Sequence, residues 1–137
     1  MEIYVNYIAV ILSAVAAMII GSIWYSPLVF GKAWMKLAGV KEPKKDEANK
    51  QMLKGMGLGL VTMLVMAYVL ARFMDIMVVV DSNGALEMSL WLWLGFMLPL
   101  TLGSFLWEGK DVKLSFLNAA YWLVTLEVMA LILVNML

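Results

Sequence analysis

The 137-residue chain is 64% hydrophobic and 15% charged, with zero formal net charge, no cysteine, no histidine and a mean hydropathy of +0.91. Soluble domains are about 45–50% apolar and about 25% charged, and a domain this small leaves much of its surface exposed, so lipid is the natural solvent for this one. The zero net charge gives no long-range pull on nucleic acid, and the missing residue types exclude disulfides, thiol nucleophiles, histidine dyads and His/Cys ligation of metal or haem.

Charges cut the chain into four apolar runs. The first is Ile3 to Tyr25, and the second lies between Lys54 and Arg72. The third is Met88 to Trp107, and the fourth is Leu114 to Leu137, interrupted only by Glu127. Crossing about 30 Å of hydrocarbon at ~1.5 Å per residue takes about 20 residues. The second run is short and borrows the stems of Lys54 and Arg72. The first run lacks a basic n-region, so it reads as a retained span and not as a cleaved leader.

The predicted fold is all-α: a polytopic membrane protein with four transmembrane helices in two hairpins, at 1–75 and 86–137, forming one domain over 1–137. Pro27 ends or bends helix one. Phe30, Trp34 and Leu37 then recur at helical spacing with Lys32 and Lys36 on another face, predicting a short interfacial helix that stops at Gly39. Helix two starts near Pro43, with Asp46 and Lys50 paired four apart, or else this stretch is a charged linker. Asp81-Ser82-Asn83-Gly84 is a turn that caps helix three.

Seven of the ten basic residues lie between spans one and two, and Lys110 and Lys113 lie between spans three and four. The positive-inside bias puts both connections in the cytoplasm and both termini outside, in a bacterial-type inner membrane. Aromatic residues are expected at the outer ends (Tyr4, Tyr7, Trp91, Trp93) and at the inner ends (Trp24, Tyr25, Trp107).

Leu60 to Leu70 and Leu123 to Leu133 match at seven of eleven positions. Gly21-Ser22 before Trp24 echoes Gly103-Ser104 before Trp107, so the hairpins read as a parallel internal repeat. Small residues at Ala9, Ser13, Ala17 and Gly21, at Gly55 and Gly59, at Gly95, Pro99 and Gly103, and at Ser115 and Ala119 allow close backbone approach. They serve either the internal bundle or a homodimer.

Trp24-Tyr25-Ser26-Pro27-Leu28-Val29-Phe30-Gly31-Lys32-Ala33-Trp34 resembles the segment after the first span in a bacterial membrane family known as domain of unknown function 1761. Trp93 to Pro99, Trp107 to Lys110, and Leu117-Asn118-Ala119-Ala120-Tyr121 are similar to that family's third and fourth spans. The resemblance implies a four-span inner-membrane protein and carries no established activity. The family's fourth span is usually apolar where this chain has Glu127.

A mid-membrane carboxylate costs roughly 2.5–3.5 kcal/mol on insertion scales. Glu127 therefore faces the bundle or a wet cavity, or it carries a proton. Counting from the span ends sets Glu127, Ser13, Thr62 and Pro99 about 15 Å deep by helical rise, so Glu127, Ser13, Thr62, Thr101 and the Gly95 carbonyl, freed by Pro99, are expected to form one polar layer. The layer reads either as a proton or cation site or as structural hydrogen bonding. Trp24, Tyr25, Trp107, Glu108 and Lys110 form a candidate inner-face pocket, with interfacial anchoring as the alternative. Asn118 and Tyr121, a turn apart, are expected to bond across helices.

The expected function is a non-enzymatic membrane protein, either a homodimer or an accessory subunit packing on another membrane protein. The alternative is a small transporter or channel for protons, cations or a hydrophobic substrate at the Glu127 layer. No cofactor is expected, and the lipid bilayer is the common partner.

Overall fold

Asn6 starts the first helix. Its side chain accepts from the N–H groups of Ile8 and Ala9, closing two donors the helix cannot satisfy itself. The computed structural model describes residues 5–39 and 45–136, with side chains described outside 45–49 and 52. Tyr4, the Pro43 start of helix two and the Asp46–Lys50 pair lie outside those limits. The elements are α1 (Tyr7–Trp24), α2 (Gly31–Ala38), α3 (Lys45–Ile76), α4 (Ser82–Leu92), a π-helical turn (Trp93–Met97), α5 (Leu98–Glu108) and α6 (Val112–Asn135). No strand occurs among the described residues. Four helices are long and apolar enough to cross a membrane: α1, Leu53–Ile76 of α3, the α4–α5 rod Ser82–Glu108, and α6.

The packing is inside-out relative to a soluble bundle. On α1 the small residues Ala9, Ser13 and Ala17 are fully buried, while Ile8, Ile11, Ile19 and Ile23 are exposed. Between helices in lipid there is little hydrophobic gain, so close contact of small side chains supplies the attraction. The central element is α6, which packs against every other helix and the π turn. It runs antiparallel to α1, and polar bonds tie the pair at both ends. Asn6 Nδ2 donates to the Met136 carbonyl at 2.6 Å, and Tyr25 Oη donates to Asn118 Oδ1 at 2.7 Å. Between them Ser13 Oγ approaches the Met129 carbonyl at 3.5 Å.

Span two is not short: α3 runs past Arg72 to Ile76. The Arg72 guanidinium folds back over the Tyr68 ring, 5.9 Å from its centroid, and donates to its hydroxyl. Span three begins at Ser82, six residues before the expected Met88, because the cap decides the start and the charge does not. Asp81 Oδ1 accepts from Gly84 N–H at 2.7 Å, and Glu87 is already one turn inside the helix. Trp91 and Trp93 therefore lie mid-rod and not at its end, about 14 to 16 Å along by helical rise. Trp93 satisfies its indole N–H by donating to the Ala119 carbonyl of α6 at 2.8 Å.

The π turn sits directly before Pro99. In an α-helix the proline ring would crowd the carbonyl of Gly95 and leave it unbonded. Here the ladder shifts one residue, and Leu98 N–H bonds the Trp93 carbonyl five positions back. The two hairpins, α1 with α3 and α4–α5 with α6, are joined unevenly. α1 closes on α6, whereas α3 and the α4–α5 rod scarcely approach each other. A cleft of about 300 Å³ separates them, lined by Met66, Leu70 and Phe73 on one wall, Phe96 and Met97 on the other, and Leu126 below.

The α3–α4 connection holds Val78 at φ 55°, left-handed backbone that a β-branched residue adopts at a cost. Val78 is exposed, so its side chain contributes little there. Val78→Asn is expected to raise the thermal unfolding midpoint in detergent, through a gain of about 1 kcal/mol. An unchanged or lowered midpoint would refute the strain.

Candidate functional site

At the end of the molecule opposite the termini, the chain leaves α1 through a turn closed by its own backbone. Tyr25 N–H reaches the Gly21 carbonyl, Phe30 N–H the Trp24 carbonyl at 3.0 Å, and Gly31 N–H the Ser26 carbonyl at 2.8 Å. Ser26 Oγ adds a bond to the Ile23 carbonyl. Pro27 stands just after the last helical turn, where no helical N–H is needed. Gly31 is buried against the same turn. A Cβ there would meet the Tyr25 carbonyl oxygen and lie 2.7 Å from the Ser26 carbonyl. This close approach folds α2 back toward α6 and brings Lys32 and Trp34 beside Tyr25. Gly39, in left-handed backbone at φ 70°, ends α2 as expected.

The folded-back segment covers a cavity of about 590 Å³, within the range of small-ligand sites. Its walls include Tyr25, Lys32, Trp34, Asn118, Tyr121 and Trp122. The aromatic rings brace one another. Tyr25 meets Tyr121 edge-on at 5.2 Å and Trp34 edge-on at 5.9 Å, and Tyr121 lies 4.9 Å from Trp122. Gly21 makes room for this group, since a Cβ there would sit 2.9 Å from the Tyr121 hydroxyl. Burial, and secondarily the neighbouring Tyr121, push the Tyr25 phenol well above its usual range, so it stays protonated and donates to Asn118. Trp24 packs behind the cavity against Phe30 and Tyr121. Its indole nitrogen and Ser115 Oγ are buried without a hydrogen-bond partner.

Of the five residues expected to form this pocket, Tyr25 lines it and Trp24 supports it. Trp107, Glu108 and Lys110 do not contribute. They are exposed at the end of α5, which packs on α6 and not on α1 or α2. Lys32, Trp34 and Trp122 take their place. The signal for the first two was the Phe-Gly-Lys junction, which reads as a reversal only once the Gly31 contact is known. Asn118 bonds across helices as expected.

The second expected site, a layer around Glu127, is not assembled. Thr62 is exposed and bonds its own helix at the Gly59 carbonyl, and Thr101 bonds the Leu98 carbonyl of its own helix. Ser13 lies on the α1–α6 seam. Glu127, partly buried, faces Ser89 of α4 instead. The earlier start of span three moves its register by six residues, roughly 9 Å, which lowers Thr101 away from Glu127 and brings Ser89 level with it. Ser89 Oγ already donates to the Ala85 carbonyl at 2.8 Å.

These features define a class: an all-helical bundle of four membrane-length helices with an aromatic cavity under a folded-back amphipathic helix. The chain belongs to the family described as "Protein of unknown function (DUF1761)", whose profile matches residues 8–134. Searches of curated proteins and of solved structures found no match. The matched region includes the Trp24–Gly31 turn.

Gly31→Ala is expected to cost about 1–3 kcal/mol, as forced overpacking does, measured as a lower thermal midpoint; an unchanged midpoint would contradict the contact. For the raised Tyr25 phenol, the unfolded chain loses its proton near pH ~10 and the folded chain higher. Stability contributed by the neutral phenol is thus constant below about pH 10 and falls as pH rises above it. Tyr25→Phe should flatten that alkaline fall in a pH series of melting midpoints, and an identical slope in both proteins would refute the assignment.

Proposed function

We propose that this chain is a non-enzymatic integral membrane protein that acts as a homodimer, with span three as its contact surface. The observation that supports the reading is the burial of that span. Only 6% of the most apolar window of Ser82–Glu108 is buried inside the chain, against 44% for α6. The small residues divide accordingly. Ala9, Ser13, Ala17 and Ala119 are spent on internal contacts, whereas a Cβ at Gly95 or Gly103 would meet nothing within 4 Å. Trp91, Gly95, Pro99, Gly103 and Trp107 recur every fourth residue along the rod. Trp91 is exposed mid-rod, where lipid offers no acceptor for its indole N–H. A second helix laid along this line gains close backbone contact and an acceptor for that donor.

The basic end, carrying most of the lysines, faces the cytoplasm of a bacterial-type inner membrane in this reading, with both termini outside. The two hairpins derive from one ancestral hairpin, and their uneven closure leaves the cleft between α3 and the π turn where a second α1–α6-like seam would lie. Transport at Glu127 is the second reading. It rests on the Glu127–Ser89 contact and no longer draws on Thr62 or Thr101.

Subunit counting by native mass spectrometry from nanodiscs tests the dimer. Wild type is expected at two copies per particle. Gly95→Leu with Gly103→Leu is expected to dissociate it, weakening the contact by about 1–3 kcal/mol, without unfolding a surface where added atoms meet open space. One copy per wild-type particle would sink the homodimer. A fixed-stoichiometry foreign membrane protein in that particle would favour the accessory-subunit role.

A further inference from the structure

We propose that the cavity beneath α2 binds one anionic amphiphile, its acidic head held by Lys32 and Asn118 and its apolar body lying against Trp34, Met35 and Trp122. Its polar groups admit few ligands. Tyr25 Oη donates to Asn118 Oδ1, which uses the amide's acceptor and leaves Asn118 Nδ2 with both N–H donors. Among the described residues lining the cavity Lys32 is the only charged one, and it brings an ammonium with three more donors. The free groups thus donate hydrogen bonds and carry one positive charge. A ligand rich in acceptors and negatively charged satisfies them.

The same inventory disfavours the alternatives. An aromatic box suits an alkylammonium ion by cation–π attraction, but among the described residues the one charge on the wall would repel it and no lining carboxylate compensates. A nucleotide carries several phosphate charges against a single lysine. A wholly apolar guest would strand the part-buried Asn118 donors, at the cost of unmade hydrogen bonds. The remaining wall is apolar and flat, formed by Trp34, Met35, Trp122 and the bracing tyrosines, as an acyl chain requires.

Position agrees with chemistry. The cavity lies at the end of α1, where the chain turns out of its span into an amphipathic helix, and tryptophan and lysine stems favour that boundary. Gly31 holds the geometry: its contact with the Tyr25–Ser26 backbone sets Lys32 one step from the Tyr25–Asn118 pair. Two sources supply such a ligand, a bilayer phospholipid with an anionic headgroup or a free fatty acid.

The test uses the full chain in detergent, stripped of lipid, and reads adducts by native mass spectrometry. The probes are phosphatidylglycerol, phosphatidylcholine and oleate. Wild type is expected to hold one phosphatidylglycerol or one oleate in preference to phosphatidylcholine. Lys32→Glu is expected to remove at least about fivefold of that preference, the factor one basic side chain contributes beside anionic lipid. Lys113→Glu, an exposed charge outside the cavity wall at the same end, should leave it unchanged. Lys32→Gln reports the same loss if the glutamate variant fails to fold. Saturation by phosphatidylglycerol alone identifies a bilayer phospholipid, and competition by oleate identifies a free acid; both support the site. Equal binding of anionic and zwitterionic probes to wild type overturns it, as does equal loss in Lys32→Glu and Lys113→Glu.

Discussion

The seam between α1 and α6 is the contact on which the rest of the molecule depends. Lipid tails are as apolar as the side chains they would replace, so helices here do not associate to escape solvent. Attraction comes from dispersion at short range and from hydrogen bonds that lipid cannot supply. Ala9, Ser13 and Ala17 let the backbones close, with Met129 and Ala130 filling the facing side. Asn6 and Tyr25 pin the two ends, to Met136 and Asn118. With that axis set, α3 leans on α1, the α4–α5 rod leans on α6, and α2 folds over the open end. The aromatic cavity is therefore a by-product of the seam: its floor is α6, its rim is the exit turn of α1, and α2 is its roof.

The seam also explains the unequal halves. In a symmetric pair of hairpins, α3 would close on α4–α5 as α1 closes on α6. The rod's face toward that gap carries Leu92, Phe96 and Met97, large side chains that hold backbones apart. The corresponding α1 face carries alanine and serine. Side-chain size alone thus decides which of two similar interfaces shuts.

Much of this architecture is legible in the sequence. Four apolar runs, the short helix after Pro27, the Gly39 stop, the Asp81 cap and the small stripe on α1 all stand, because each follows from chemistry local in the chain. Two kinds of error share one cause. Glu87 was read as a helix boundary, yet a charged side chain can sit in the first turns of a helix, and the Asp81 cap decides the start. That shift misplaced Trp91, Trp93 and the partners of Glu127 together. The pocket was partly legible through Tyr25 and Trp24. Lys32, Trp34 and Trp122 were not, because their meeting depends on a chain reversal at Gly31, a backbone contact that no periodicity encodes. Asn6 could have been found, being a cap residue directly before an apolar run.

The π turn before Pro99 has a consequence for how span three is read. One surplus residue sets everything after it back by roughly 100° of helical phase. The phase of α4 is set by its contacts with α6 through Ser89 and Met88, whereas α5 takes its phase beyond the slip. The rod is two rotors on a common axle, and a substitution that turns one need not turn the other. Carried through that slip, the four-residue spacing of Trp91, Gly95, Pro99, Gly103 and Trp107 drifts less around the rod than it would on a regular helix.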